Sequence, residues 1–189
     1  MIRFLDFVFA VMGIIILLPI FILIWIIGLF ENGSPIFTQT RIGYLQKNFT
    51  LIKFRTMKKD TISVATHLVK DPVITRYGIF LRKTKFDEIP QLWNVLIGDM
   101  SFVGPRPCLL NQTKLISERK KRGVFKFRPG ITGLAQISGI TMRTPTLLAK
   151  TDFEMNKKMN LYYYFYYILK TLLIISLKKY LMNNLCISQ

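Results

Sequence analysis

Between Phe7 and Phe30 run 24 residues without one charged side chain, and no other feature of the sequence restricts the fold so strongly. As one helix the run would rise about 36 Å, enough to cross a hydrocarbon core of roughly 30 Å. A cleaved signal peptide carries an apolar region of only about 7 to 15 residues. This run is longer, and it leads into Glu31-Asn32-Gly33-Ser34-Pro35 instead of a small-residue cleavage site. Pro19 stands near its middle, where it lacks the N–H a helix needs and crowds the carbonyl four residues back. The proline predicts a helix break, with arms Phe7 to Leu18 and Ile20 to Phe30 of about 17 Å each. Arg3 precedes the run and Arg41, Lys47, Lys53 and Arg55 follow it, so both flanks carry the positive charge of a cytoplasmic side. That balance leans toward a re-entrant hairpin, while a kinked span stays open because proline is tolerated in spanning helices.

The 189-residue chain holds 27 Lys and Arg against 10 Asp and Glu, a formal net charge of +17, yet 51% of it is hydrophobic and its mean hydropathy is +0.33. Charge and hydropathy usually oppose each other; here they are segregated into a greasy N-terminal segment and a basic body. Such a body is drawn to an anionic leaflet, to nucleic acid or to a polyanionic small substrate, and charge alone does not choose among them. Cys108 and Cys186 show no CxxC spacing, which argues against a thiolate zinc site or a disulfide framework. With His67 the single histidine, a Ser-His-Asp relay or a HExxH metal site has almost nothing to be built from. Any acid, base or nucleophile is therefore expected to be a carboxylate.

Past Gly33-Ser34-Pro35, the β-branched and aromatic runs Ile36 to Ile42 and Phe49 to Met57 predict a β-hairpin. A polar loop follows from Lys58 to Lys70, ending at Asp71-Pro72, and Thr75 to Lys83 reads as a short basic helix. Asp87-Glu88-Ile89-Pro90 is a helix-start signal for a body over Gln91 to Ile97, closed by Gly98-Asp99-Met100-Ser101. Gly104-Pro105-Arg106-Pro107 must be extended, a polar basic helix is expected from about Leu109 to Arg122, and Arg128 to Gly133 reads as a turn-rich loop. Thr144-Pro145 predicts an N-cap and first helical residue for a helix through about Lys158. Leu161 to Leu177, with its tyrosine run Tyr162-Tyr163-Tyr164 and Tyr166-Tyr167, reads as a helix lying at the bilayer interface, with a second span or an ordinary core helix as alternatives.

None of the 11 glycines forms a P-loop or a dinucleotide fingerprint, so arginines would have to hold phosphate. Arg82, Arg106 and Arg128 lie at turns or helix ends, where a guanidinium fork can grip phosphate oxygens, although each taken singly also reads as solvated surface charge. Asp87-Glu88 is the one adjacent acidic pair, just after Arg82-Lys83-Thr84-Lys85. One reading is a helix cap. The other is a carboxylate kept ionised by nearby cations and a helix N-terminus, serving as nucleophile or Mg²⁺ ligand.

Taken together, Phe37-Thr38-Gln39-Thr40-Arg41-Ile42-Gly43, Lys53-Phe54-Arg55-Thr56-Met57, Phe80 to Leu96, Gly98 to Pro107 and Arg128 to Gln136 resemble the small bacterial initiating sugar transferases, the monotopic polyprenol-phosphate phosphoglycosyl transferases. The resemblance spans most of the chain. It implies an α+β fold with a re-entrant membrane helix broken at Pro19 over residues 1–32, then a membrane-associated catalytic domain over residues 33–189 on the cytoplasmic face of the bacterial inner membrane. It implies an enzyme that transfers a sugar 1-phosphate from a UDP-sugar to polyprenol phosphate (undecaprenyl phosphate), with Mg²⁺, releasing UMP as the first membrane step of surface glycan assembly. The partners implied are the donor, the acceptor and membrane lipid, without nucleic acid; no oligomeric state follows.

By the same resemblance Asp87 is the nucleophile and metal ligand, forming a phosphosugar-aspartyl intermediate that polyprenol phosphate then attacks, with Glu88 in support. Lys53 and Arg82 match positions near that carboxylate, Arg106 and Arg128 match the loops that hold nucleotide phosphates, Gln136 closes the last shared motif, and Asp152 matches a further site acid. The short length, without further spans, points by analogy to an N-acetylated donor. Two departures stand out: Leu18 precedes Pro19 where many relatives have Ser, and Ile140 follows Gly139 where many have Arg. The alternative to catalysis is a membrane-anchored basic module that binds or scaffolds.

Overall fold

A computed structural model describes residues 1–58 and 74–186. Most of the expected Lys58 to Lys70 loop, with Asp71-Pro72, falls outside the described residues. The fold is α+β. The helices are α1 (Ile2–Asn32), α2 (Arg76–Thr84), α3 (Gln91–Ile97), α4 (Thr113–Lys121), α5 (Leu134–Ile137), α6 (Pro145–Lys158) and α7 (Leu161–Cys186). The strands are β1 (Ile36–Ile42), β2 (Asn48–Phe54), β3 (Ser101–Val103) and β4 (Gly130–Thr132). The chain forms two compact units, one of Arg3–Arg41 with Asn48–Asp99, the other of Ile42–Lys47 with Met100–Gln189.

In the first unit, α1 is one continuous helix with Pro19 inside it. The two arms expected on either side of the proline are therefore parts of one helix, which loses one backbone bond at Pro19 without ending there. α1 is long and apolar enough to cross a membrane, and it touches its own unit at several points. Near its start, Arg3 donates to the Val95 and Leu96 carbonyls at the end of α3, at 2.5 and 2.7 Å. A Cβ at Gly13 would lie 3.2 Å from the Leu92 side chain. Farther on, the Tyr77 hydroxyl donates to the Ile24 carbonyl at 2.7 Å, and burial holds that phenol protonated by pushing its pKa to about 12. The opposite face, with Phe4, Ile15, Ile16, Leu23 and Phe30, is exposed.

The predicted hairpin is present as β1 and β2, joined through a 3-10 turn at Tyr44–Gln46. Alternation along a strand sends successive side chains to opposite faces, and it divides this hairpin by chemistry. Phe54 joins Ile24 and Leu81 in a buried cluster against which Ile36 packs, while on the other face Lys53 and Arg55 lie over the Phe37 ring at 5.4 and 5.6 Å. α2 begins where expected because the Thr75 hydroxyl caps it, accepting from the Gly78 amide at 2.9 Å. Gly78 then presses on the backbone after β2, where a Cβ would fall 2.0 Å from the Thr56 carbonyl oxygen. α3 is bound to β2 by Asn94, which accepts from the Ile52 amide at 3.1 Å and donates to the Thr50 carbonyl at 2.8 Å.

The second unit is built around a parallel pair, β3 with β4, in register Ser101 to Gly130 and Val103 to Thr132. Here the structure corrects the sequence reading, which takes Arg128 to Gly133 as loop. Three-residue strands carry no period, and what joins them is glycine. A Cβ on Gly104 would meet the Arg128 carbonyl oxygen at 2.4 Å, and one on Gly130 would meet the Gly104 nitrogen at 2.0 Å. α6 starts at Pro145 behind Thr144 as expected, and α4 starts at Thr113, four residues later than Leu109. α7 buries Tyr164 and Tyr167 and exposes Tyr162, Leu169, Leu172 and Leu173. One face of α7 therefore belongs to the core, and the other, with its tyrosine and leucines, is exposed.

Candidate active site

Asp87 sits in a 3-10 turn, Phe86–Glu88, that the chain enters through Lys85 at φ +63°, a left-handed conformation uncommon for a residue with a side chain. The turn projects Asp87 inward: the residue is 8% exposed, and its Oδ1 is buried with no hydrogen-bond partner among the described residues. The capping reading is corrected, since Pro90 is the N-cap of α3 and no side chain caps that helix. Lys53, Lys85 and Arg82 all act on the Asp87 carboxylate and favour its charge, as the sequence predicts. Burial, joined by Glu88, outweighs them, so the net effect holds the Asp87 carboxyl above the ordinary aspartate range. The expectation that nearby cations and a helix N-terminus keep it ionised is thus corrected: the cations temper a larger desolvation cost.

Arg82 is half-buried, and its Nε donates to the Thr56 hydroxyl at 2.8 Å. This fixes the guanidinium through one edge and leaves the Nη donors for another acceptor. Burial lowers its pKa and Asp87 raises it, so each group supports the charge of the other. Glu88 lies 3.9 Å from the Lys85 ammonium. Among the described residues no group of three or more His, Cys, Asp or Glu could enclose a metal. Mg²⁺ needs no such cage, because it binds through one or two carboxylates with phosphates and water completing its shell. Asp87, with its unpartnered hard oxygen beside Glu88, fits that requirement.

The first unit therefore gathers Lys53, Arg82, Asp87 and Glu88 with Lys85, one of the cations read beside the acidic pair, and adds Thr56, to which sequence reasoning assigns no role. The sequence signal for Thr56 is its place in Lys53-Phe54-Arg55-Thr56-Met57. In the second unit the crossing of Gly104 and Gly130 sets the arms bearing Arg106 and Arg128 side by side: the Gly130 amide donates to the Pro105 carbonyl at 2.9 Å and the Gly104 amide to the Thr132 carbonyl at 2.8 Å. The Arg128 guanidinium lies over the Tyr44 ring, 4.9 Å from its centre. Gln136 donates to the Gly104 carbonyl at 3.3 Å, and its Oε1 is buried without a partner among the described residues.

Asp152 is fully buried and paired with buried Arg119, whose Nε and Nη2 donate to Asp152 Oδ2 at 3.0 and 2.6 Å. Burial raises the Asp152 pKa in spite of that partner. Sequence reasoning does not single out Arg119, because a basic helix reads as solvated; its Nη1 also donates to the Arg106 carbonyl at 2.8 Å, so the pair braces the loop that carries Arg106.

The family model for bacterial sugar transferases matches residues 1–178. The galactosyl transferase CpsE of Streptococcus agalactiae serotype III (strain NEM316) is 40% identical over 152 residues, covering 72% of this chain and 33% of the relative. The exopolysaccharide production protein ExoY of Sinorhizobium fredii (strain NBRC 101917 / NGR234) is 36% identical over 155 residues, 72% of this chain and 68% of the relative. The UDP-glucose:undecaprenyl-phosphate glucose-1-phosphate transferase of Xanthomonas campestris pv. campestris is 39% identical over 152 residues, 75% of this chain and 31% of the relative. The chain thus spans about a third of the length of two of these relatives and about two thirds of ExoY.

Proposed function

The chain belongs to the bacterial sugar transferase family, and on that premise we propose that it transfers a sugar 1-phosphate from a UDP-sugar to a polyprenyl phosphate and releases UMP. The observation that carries this reading is Asp87, a buried carboxylate with one oxygen unpartnered among the described residues, acted on by Lys53, Lys85 and Arg82. An Asp87 oxygen attacks the phosphorus that bears the sugar, the bond from that phosphorus to the bridging oxygen breaks, and UMP leaves with the electron pair. A phosphate oxygen of the acceptor then attacks the same phosphorus and the bond to Asp87 breaks, which restores the carboxylate. Two displacements at one site replace an encounter of two anions with each other.

The Arg82 fork, held by Thr56, takes phosphate oxygens, and Lys53 and Lys85 offset the charge gathered around Asp87. Arg106 and Arg128 take the phosphates of the nucleotide, with Arg119 and Asp152 bracing the Arg106 loop. Asp87 and Glu88 would hold Mg²⁺, which supplies charge neutralisation at the diphosphate when bound. The product, a lipid-linked sugar diphosphate, begins the assembly of a surface glycan.

The reaction is proposed to run on the cytoplasmic face of the bacterial inner membrane, with α1 entering and leaving the same leaflet. A helix crossing the bilayer parts from its body at one end. α1 instead holds the first unit both near its start, through Arg3, and beyond Pro19, through Ile24, while its other face stays bare and apolar. The +17 charge draws the body to an anionic leaflet. The test is a panel of UDP-sugars with purified protein in detergent, scored for UMP release with and without polyprenyl phosphate and Mg²⁺. A burst of UMP without acceptor and a trapped phosphosugar adduct are expected, both lost in Asp87→Asn. Full turnover by Asp87→Asn overturns the reading.

A further inference from the structure

The first unit contains an open cavity of about 290 Å³ bounded by 11 side chains, all aliphatic or aromatic. One wall is α1, through Leu17, Leu18 and Trp25; the other is Ile52 of β2 with Pro90 and Trp93 at the start of α3. A wall without carboxylate, amide or guanidinium has nothing with which to grip a nucleotide or a sugar. It suits hydrocarbon. We infer that this cavity holds the first isoprene units of the polyprenyl phosphate acceptor, next to its phosphate.

Three observations favour that occupant over an acyl chain of the bilayer. Ile89 and Pro90, both in the wall, follow Asp87-Glu88 directly in sequence, so a chain seated there begins within a few residues of the carboxylate its phosphate must reach. The α1 wall belongs to the helix whose remaining face is bare and apolar, a surface along which a long tail can continue into lipid. Two indole rings make the wall broad and stiff. A polyprene, with a methyl branch on every unit, fills such a groove to a density that a straight acyl chain would not reach. Leu18, beside Pro19, adds apolar surface to this wall.

This inference rests on the proposed reaction, and its test separates the two. Trp25 and Trp93 are the only tryptophans in the chain, so all of its indole emission reports on this cavity. In nanodiscs, a polyprenyl phosphate brominated in its first units is expected to quench that emission saturably, to be displaced by unlabelled polyprenyl phosphate, and to quench several-fold more than the same lipid brominated at its far end. Ile14→Phe, which narrows the cavity, is expected to raise the KM for acceptor about tenfold more than the KM for UDP-sugar. Equal quenching by brominated phosphatidylcholine, undisplaced by the acceptor, assigns the cavity to bilayer lipid and overturns the inference. UMP release and transfer with no displaceable quenching overturn it while the reaction stands. Quenching without any transfer overturns the reaction, and this inference with it.

Discussion

The Thr56 hydroxyl accepts a hydrogen bond from Arg82 Nε at 2.8 Å, which ties this half-buried guanidinium to the end of the hairpin. A hydrogen bond to a charged group is worth about 1.5–3 kcal/mol. Thr56→Val keeps the shape and removes the acceptor. The fork then loses its fixed edge, and kcat/KM for UDP-sugar is expected to fall roughly tenfold, at about 1.4 kcal/mol for each factor of ten. UMP release at low donor concentration measures it; an unchanged rate would mean that Arg82 is placed by something else.

Gly78 makes that placement possible, since its missing side chain lets α2 lie against the Thr56 carbonyl. A methyl group cannot fit 2.0 Å from a backbone oxygen, so Gly78→Ala must push α2 away. Overpacking of this kind costs about 1–3 kcal/mol. A lowered unfolding temperature, with UMP release reduced at least as far as in Thr56→Val, is expected. An alanine variant with wild-type stability would contradict the packing described.

The raised pKa of Asp87 fixes the sign of two effects. The carboxylate attacks only when deprotonated, so the acid limb of the rate profile lies above the range of an ordinary aspartate. Glu88→Gln removes a neighbour that raises the pKa and moves the limb to lower pH; Lys85→Met removes one that lowers it and moves the limb up. For stability, a folded-state pKa above the unfolded value means that the contribution of this group is full below the unfolded pKa and is lost as pH rises through the folded one. At neutral pH the buried charge is therefore a cost. Asp87→Asn is expected to abolish turnover and raise the unfolding temperature together, and a destabilised Asn variant would count against the burial argument.

Where local chemistry decides, the sequence is legible. Thr75 and Thr144-Pro145 mark the starts of α2 and α6, and the β-branched runs mark the hairpin. Asp87 is found through the motif around it. The β3–β4 pair is not legible, because its strands have three residues each and are joined by glycine contacts between segments far apart in sequence. Arg119 is hidden for a similar reason. Nothing in the run from Thr113 to Lys121 distinguishes the one cation that turns inward from the three that face water. The upward shift of the Asp87 pKa is hidden too: the nearby cations can be read along the chain, whereas the larger influence, burial, exists only after folding.

The Arg119–Asp152 pair separates stability from function. Both side chains are buried, with Nη2 to Oδ2 at 2.6 Å, so removing one partner strands a charge out of water and costs about 3–5 kcal/mol. Arg119→Met and Asp152→Asn are each expected to unfold at markedly lower temperature. The double variant Arg119→Met/Asp152→Leu strands no charge, and apolar replacement of a buried pair is often neutral, so most of the loss is expected to return. Activity should not return with it. Arg119 also donates to the Arg106 carbonyl, and no methionine supplies that bond. The double variant is therefore expected to fold with near wild-type stability and still show a raised KM for UDP-sugar. Chemical denaturation and UMP release on the same samples measure both, and full activity in the double variant would show that Arg106 keeps its place without the brace.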